Sequence, residues 1–420
     1  MQQISKTALV HYSSPPIVGG VEAVISAHAQ VLLGAGYPVD VISGRGDAGA
    51  LPEGTGYVCI PEMDSQNPKV LEMNASLIEG TVPPGFDPAV RGLASRLGET
   101  LSGYSTVMIH NVLTKHFNMA LTAALWSLIE RGSPWKPVAW VHDISWTSEH
   151  SLPALHPGYP WDLLRRFDPR VQYVAVSQER RAALAGLLGC PESAIRVIYN
   201  GVSPEAFYSL SAVSTRIARE LDLWRCDLIV LLPVRVTQAK NLELACRVAG
   251  SLKSSGLRCR FIVTGPPDPH DEQSMLYYSS LLDLRENLGV QEEVRFIFEL
   301  GSAGGEGLTI GPQAVAELYR IADAVLMPSR REGFGMPVLE AGLLGLPVFS
   351  TPVPASVEIG GATVHLITDG MPAETISRQI LEWARSSRSL AMKAKVRQGF
   401  TWQAIFDRDI LPLLRDAQAG

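Results

Sequence analysis

Short apolar runs recur along the chain, and each is followed by a glycine-containing turn or by a helical pattern. The first such unit is a strand over 7–13, a helix over 19–37 and a second strand over 38–44. A strand–helix–strand unit implies a parallel sheet that is covered by helices. Polar residues gather at the carboxyl ends of the strands, where open α/β sheets bind ligands. The runs that follow predict further strands at 104–111, 136–143, 171–177 and 195–201.

A second series of apolar runs begins near residue 228 and predicts a second parallel sheet. Its strands are expected within 228–241, 258–267, 293–300, 322–329 and 346–352. The polar, turn-rich stretch 203–215 separates the two series, so the domain boundary is placed there. The predicted fold class is α/β, with two Rossmann-like, doubly wound domains at 1–205 and 206–397 that face a cleft.

The last part of the chain, 398–420, has the pattern of a single amphipathic helix. We expect it to pack back on the N-terminal domain. Its inward positions recur at helical spacing over 400–418. They are Trp402, Ile405, Phe406, Ile410, Leu413 and Leu414.

Composition narrows the classes of function. The 420 residues are 46% hydrophobic, which is enough for two domains that each have a core. The net charge of −6 argues against nucleic acid as the main partner. Five cysteines without a CxxC pair indicate neither a disulfide framework nor a zinc site. With no secretory leader and no membrane-length apolar run, we expect a cytoplasmic protein, and leave open a contact with the inner face of a membrane. The oligomeric state is not predicted.

The stretch PSRREGFGMPVLEAGLLGLPVFSTP, at 328–352, places two glutamates around a glycine-rich helix start. Pro337 suits the first helical position, and the glycines at 333 and 335 permit close approach of a ligand. Free amides at Gly335–Val338 would favour a phosphate. Glu340 can accept bonds from vicinal hydroxyls, and Glu332 faces the other end of such a ligand. This pattern describes a nucleotide sugar. The alternative is an ordinary helix start with surface glutamates.

Two cations follow the first strand of the second series. Arg235 and Lys240 lie in the loop at its carboxyl end. Such a pair can neutralise a diphosphate and stabilise it as a leaving group. The alternative is a solvated basic loop. We favour the first interpretation because both motifs are expected at the same edge of one sheet.

Five segments in order along nearly the whole chain resemble glycosyltransferase family 4, whose members are retaining enzymes with the GT-B fold. The resemblance implies that the N-terminal domain binds the acceptor and the C-terminal domain binds a nucleotide-diphosphate sugar. The segments are PPIVGGVEAVI (15–25), VAVSQERR (174–181), VIYNGVSPEAF (197–207), PVRVTQAKN (233–241) and RREGFGMPVLEA (330–341).

The resemblance also implies individual roles. Glu340 would bind the ribose, and Glu332 the transferred sugar near the reacting centre. The implied catalytic residues are Glu332, His142, Arg235 and Lys240. The implied donor-binding residues are Gly19, Gly20, Arg235, Lys240, Gly333, Phe334, Gly335, Met336, Pro337 and Glu340. No metal site and no cofactor besides the nucleotide sugar is implied. Whether His142 acts through its ring stays open, because a histidine at a strand end more often packs or donates a hydrogen bond.

The expected reaction is metal-independent retaining hexosyl transfer, with UDP-glucose or GDP-mannose favoured as donor. The acceptor is expected to be polar or anionic, such as a small sugar, a glycerate derivative or a glycan or glycolipid precursor. Aromatic and arginine side chains in 143–170 are candidates for binding it, although internal packing of this segment explains them as well. The alternative function is a nucleotide-sugar epimerase of the same fold. A non-catalytic binding module is less favoured because all the expected donor residues are present. A GxGxxG-type dehydrogenase does not fit the spacing after the first strand.

Overall fold

The computed structural model describes residues 6–268, 270–301, 307–368 and 370–418. The chain divides into two compact units. The first consists of Met1–Gly201 with Trp402–Gly420, and the second of Val202–Thr401. The expected divisions at 205/206 and 397/398 therefore lie four residues from the observed ones, at 201 and 401.

In the described part of the first unit, seven strands form one parallel sheet in the order β3-β2-β1-β4-β5-β6-β7. The strands are β1 Thr7–Ser13, β2 Val39–Arg45, β3 Gly56–Cys59, β4 Thr106–His110, β5 Lys136–Val141, β6 Gln172–Ala175 and β7 Ile195–Val197. The prediction missed the edge strand β3, because its four residues are half-exposed and lack an apolar run.

Helices cover both faces of this sheet. Successive residues of a strand point to opposite faces, so β1 contributes Ala8 and Val10 to one core cluster and Leu9 to the other. This explains why the strands read as continuous apolar runs. The helices are α1 Gly20–Gly34, α2 Pro68–Ile78, α3 Phe86–Leu101, α4 Met119–Glu130 and α5 Gln178–Leu188.

The described part of the second unit has a six-stranded parallel sheet in the order β10-β9-β8-β11-β12-β13. The strands are β8 Leu228–Leu232, β9 Cys259–Val263, β10 Val294–Phe296, β11 Ala324–Met327, β12 Val348–Ser350 and β13 His365–Leu366. The helices are α6 Pro204–Phe207, α7 Ala212–Glu220, α8 Leu242–Ser254, α9 Glu272–Asn287, α10 Pro312–Ile321, α11 Met336–Leu343, α12 Ala373–Ser386 and α13 Arg388–Gly399. Both units are thus Rossmann-like, and the predicted α/β class is confirmed.

The end of the chain belongs to the first unit. It forms α14 Trp402–Ile405, a π-helical turn Phe406–Ile410 and α15 Leu411–Gln418, rather than one regular helix. The six positions predicted to face inward are all buried, and they join the core cluster that contains Leu9. The wider π turn was not visible in the apolar pattern, which fits either geometry over so short a segment.

No helix within the described residues is long and apolar enough to cross a membrane. The five cysteines are all free thiols.

Candidate functional site

The two motifs of the second unit meet through one short contact at the carboxyl edge of its sheet. Lys240 ends the short helical turn Gln238–Lys240 after β8, and Glu332 follows β11. Lys240 Nζ donates to Glu332 Oε1 over 2.6 Å. The hydroxyl of Ser329 donates to the same oxygen over 2.7 Å. The structure therefore brings together a cation and a carboxylate that are 92 positions apart.

Both side chains keep some contact with solvent. Lys240 is 21% exposed and Glu332 is 11% exposed. An ammonium group has three donors and a carboxylate has about four acceptor positions. The Lys240–Glu332 contact uses one of each, so both groups retain capacity for a ligand.

Arg330 holds the two loops together. Its backbone N–H donates to the carbonyl of Ala239 over 2.8 Å. Its guanidinium donates to Gln238 O over 2.9 Å and to Asn241 Oδ1 over 3.0 Å. These bonds keep Lys240 beside Glu332. Sequence reasoning missed this role, since a pattern of residues does not show which loop an arginine will reach.

The turn before α11 requires glycine at one position. Gly335 has φ +105° and ψ 53°, a left-handed conformation that other residues adopt only with strain. A Cβ there would also lie 3.3 Å from Val353 Cγ2. The turn is held further by the amide of Ala355, which donates to Phe334 O over 2.9 Å.

Fewer amides are free at the start of α11 than the sequence suggested. The prediction was wrong for Val338, whose N–H donates to Gly335 O over 3.0 Å, and Pro337 has no N–H. The amides of Gly335 and Met336 donate to no backbone group within the described residues. They stand at the positive end of the helix dipole, next to the exposed side chain of Met336.

Glu340 lies one turn into α11 and is exposed. Its Oε2 accepts a 2.6 Å hydrogen bond from the hydroxyl of Tyr319, which is buried in α10. Burial and the neighbouring carboxylate both raise the pKa of Tyr319, so the phenol stays protonated and remains a donor. Oε1 of Glu340 has no hydrogen bond within the described residues and is available to a ligand hydroxyl. Tyr319 is a supporting residue that no sequence pattern pairs with Glu340.

The remaining predicted residues of this unit lie around the same turn. Arg235 is exposed in the loop after β8 and forms no ion pair with a described residue. Gly333 is exposed, with open space where a Cβ would stand. Phe334 is 40% exposed and Met336 is 55% exposed. The edge thus presents cations, carboxylates, amides and apolar surface together.

In the first unit, the two glycines before α1 differ. A Cβ on Gly19 would lie 2.1 Å from Glu22 Oε2, so Gly19 makes room for the carboxylate of its own helix. Glu22 in turn accepts a 2.6 Å bond from the hydroxyl of Ser13. Gly20 has open space at its Cβ position. Both glycines are exposed, and they differ only in the space at the Cβ position.

His142 follows β5 and is nearly buried, with 9% exposure. Its backbone N–H donates to Asn111 Oδ1 over 2.8 Å, and its Nε2 lies 3.2 Å from Nδ1 of His110. Burial, and the nearby His11, lower the pKa of His142 to about 4, although Asp143 opposes this. The imidazole of His142 is therefore neutral at neutral pH.

The segment 143–170 contains side chains that mostly pack within their own unit. The guanidinium of Arg165 lies 4.6 Å from the ring of Trp146 and pairs with Asp162. Arg166 pairs with Glu130.

A cavity of about 390 Å³ lies beside this segment, and Ala154 and Trp161 of the segment line it. Its lining includes Leu71, Asn74, Ile78, His116, Phe117 and Trp161.

Metal ligands do not cluster in the described chain. No group of three or more His, Cys, Asp or Glu side chains there is arranged to hold a metal ion.

The fold and this edge define a class of protein: a two-unit α/β protein whose second sheet carries groups suited to a phosphorylated, hydroxyl-rich ligand. The sequence model described as "Glycosyl transferases group 1" matches residues 222–398, and that described as "Glycosyltransferase Family 4" matches residues 18–206. Together they cover most of the chain. The chain therefore belongs to the family 4 (group 1) glycosyltransferases.

Individual relatives share only a minor fraction of their sequence with this chain. A D-inositol 3-phosphate glycosyltransferase of Saccharomonospora viridis is 28% identical over 254 residues, which are 56% of this chain and 53% of the relative. An uncharacterized glycosyltransferase of Methanocaldococcus jannaschii is 26% identical over 242 residues, 56% of this chain and 57% of the relative. The matches thus span about half the length of these relatives. A solved glycosyltransferase of Rickettsia africae ESF-5 is 18% identical, with 99% of this chain and 98% of that chain covered and a TM-score of 0.37.

Proposed function

We propose that the protein transfers a hexose from a nucleotide-diphosphate sugar to an acceptor hydroxyl with retention of configuration. The observation that carries this proposal is the 2.6 Å contact between Lys240 and Glu332 at the carboxyl edge of the second sheet. In this proposal Lys240 binds the diphosphate and Glu332 binds the sugar, and their contact supports a single site for both parts of the donor. Glu340, on the following helix, supplies the third contact such a donor needs.

The roles follow from the chemistry of each group. Lys240 and the exposed Arg235 bind the diphosphate and stabilise the charge that grows on it as the glycosidic bond breaks. The amides of Gly335 and Met336 add a partial positive charge at the helix start. Glu332 accepts hydroxyls of the sugar, and Glu340 accepts ribose hydroxyls. Transfer in this scheme needs no metal, because side-chain cations neutralise the leaving group. Roles for Gly19, Gly20 and His142 stay predictions of the resemblance.

The donor and acceptor are proposed by class. UDP-glucose or GDP-mannose is favoured as donor. A polar or anionic acceptor is favoured, and the name of the Saccharomonospora viridis relative, which specifies an inositol phosphate, supports including such phosphates among the candidates. The cavity of about 390 Å³ in the first unit is the candidate acceptor pocket. Its lining includes His116 and Phe117 from the segment after β4 and Trp161 from the segment after β5, and open α/β sheets bind ligands beyond the carboxyl ends of their strands.

The test is binding followed by turnover. Thermal denaturation with UDP, GDP, ADP and their sugars, and with NAD as control, should show stabilisation by one nucleotide family. The matching nucleotide sugar is then incubated with sugar, sugar-phosphate, inositol-phosphate and glycerate acceptors, with and without a chelator. We expect a glycoside product of retained configuration that survives chelation. Absence of binding by every nucleotide would contradict the proposal. Release of free nucleotide together with a 2-epimeric sugar would indicate the epimerase instead.

A further inference from the structure

Four histidines of the first unit lie close together: His11, His28, His110 and His142. The ring of His110 stacks beside that of His142, with ring centroids 5.5 Å apart. The centroids of the His110 and His28 rings are 5.4 Å apart. His11 Nδ1 donates to the carbonyl of His110 over 2.8 Å. His28 and His110 are buried, and His11 is 5% exposed. The proposed catalytic scheme assigns no role to His11, His28 or His110.

Burial makes these rings neutral. It lowers the pKa of His110 well below its usual range, and the neighbouring histidines lower it further. It also lowers the pKa of His28 to about 3 and that of His142 to about 4. Each neutral imidazole has one N–H and one bare nitrogen, so the tautomer decides which atom can donate.

The contact between His110 and His142 allows two placements of the ring protons. Either His110 Nδ1–H donates to a bare Nε2 of His142, or His142 Nε2–H donates to a bare Nδ1 of His110. In the second arrangement His110 would carry its own proton on Nε2. That atom is buried and has no hydrogen-bond partner in the described residues. A buried N–H without a partner is rarer and more costly than a buried acceptor without one. The first arrangement is therefore favoured.

The backbone around both rings is held in place. Asn111 has φ +60°, and its Oδ1 accepts from the N–H groups of His142 at 2.8 Å and Asp143 at 3.0 Å. The backbone N–H of Asn111 donates to the backbone carbonyl of Trp140 over 2.9 Å. These bonds fix the backbone at His142 and Asp143, and none of them involves a ring nitrogen of His142. The hydrogen-bond partner of His142 Nε2 among the described residues is His110.

We propose that His110 is a positioning residue that fixes the tautomer of His142, so that His142 carries its proton on Nδ1 and presents that N–H as a hydrogen-bond donor. In this state His142 cannot act as a general base, because its bare nitrogen accepts the bond from His110. The tautomer part of this inference stands on the geometry alone, whereas its effect on transfer rests on the proposed function.

The test for the tautomer needs no substrate. Side-chain 15N NMR of the free protein at pH 7 should show a bare Nε2 and a protonated Nδ1 on His142, with assignment from a His142→Gln variant. His110→Phe removes the donor and should shift His142 toward the Nε2–H form. His110→Asn keeps an N–H close to the Nδ1 position and should preserve the wild-type signature. A wild-type His142 that is protonated on Nε2 would overturn the inference, even if neither His110 variant folds.

Turnover then tests the effect on transfer. With the nucleotide sugar found by the binding panel, His110→Phe should lower kcat about tenfold with little change in KM, because about 1.4 kcal/mol of transition-state hydrogen bonding is lost. His110→Asn should restore most of it. Unchanged kcat in His110→Phe, with an altered tautomer, would overturn the catalytic part. If no nucleotide binds the protein, the proposed function fails while the NMR result still decides the tautomer.

Discussion

Replacing Glu332 by glutamine should strengthen the binding of a free nucleoside diphosphate while weakening that of the nucleotide sugar. In the free protein, Glu332 accepts a bond from Lys240 over 2.6 Å. If Lys240 binds the diphosphate, the carboxylate and the phosphate share one ammonium group. Glutamine keeps the size of the side chain and removes the negative charge. It also loses part of the acceptor capacity that the sugar hydroxyls need.

The size of the effect follows from the geometry of a shared lysine. Two acceptors around one ammonium nitrogen, each at a normal hydrogen-bond distance, lie about 4.6 Å apart. At that separation two unit negative charges repel by about 1 kcal/mol in water and by about 4 kcal/mol at the effective dielectric of a protein surface. Because the site retains contact with solvent, we take the lower value, which corresponds to about fivefold tighter binding.

Isothermal titration calorimetry with the nucleoside diphosphate at two salt concentrations measures this. The gain should shrink at high salt. Lys240→Met should weaken the same ligand about 10- to 150-fold, the equivalent of one charge-assisted hydrogen bond. Lys253→Met is the matched control: Lys253 pairs with Glu293 over 3.1 Å near the end of α8, away from the carboxyl edge. Unchanged or weaker diphosphate binding by Glu332→Gln would refute the shared-lysine reasoning. Unchanged binding by Lys240→Met would refute the site itself.

Three predictions concern the stability of the units. Gly335→Ala should cost about 1–3 kcal/mol in urea unfolding because of the positive φ, whereas Gly333→Ala, with open space at its Cβ, should stay within about 0.5 kcal/mol of wild type. Asp323→Ala should lower the free energy of unfolding by about 3–5 kcal/mol. In the wild type, Arg397 is buried and lies 2.9 Å from Asp323 Oδ2, and the substitution would leave its charge without that carboxylate. A loss below about 1 kcal/mol would contradict this reasoning. Burial lowers the pKa of His28 to about 3, so the folded protein favours the neutral ring. The contribution of His28 to stability is therefore full above the unfolded pKa of about 6.5 and is lost as the pH falls toward 3. His28→Phe should flatten this part of the pH dependence of Tm, and an unchanged slope would argue against it.

Strands that are buried on both faces were predictable from sequence, because burial on two sides requires an unbroken apolar run. β1 and β8 are such strands. The edge strands were not, because they need no such run. β3 has the half-exposed sequence GYVC, and β13 consists of the two exposed residues His365 and Leu366. Their strand character comes from pairing with β2 and β12, which only the folded chain shows.

The residues of the site also fall into two groups, those that the sequence predicted and those that it did not. Lys240, Glu332 and Glu340 were predicted because each lies next to a strand end or helix start that the pattern reveals. The residues that hold them were not. Tyr319 lies 21 positions from Glu340, and Arg330 reaches a loop 89 to 92 positions away. Such contacts depend on how helices and loops pack, which no local spacing encodes.

These supporting contacts determine how the carboxyl edge of the second sheet would respond to a nucleotide sugar. The carbonyl of Ser329 accepts a 2.6 Å bond from the Thr351 hydroxyl, and its own hydroxyl donates to Glu332. Arg330 fixes the neighbouring loop through three bonds of its own. None of these bonds uses a group that the proposed donor needs, apart from one lone pair of Glu332. A ligand would therefore have to redirect only part of the Lys240 ammonium, and little conformational entropy would be lost on binding. It follows that Arg330→Met should weaken nucleotide binding through disorder of the 238–241 loop rather than through loss of a direct contact, and that this weakening should be far less dependent on salt than that of Lys240→Met.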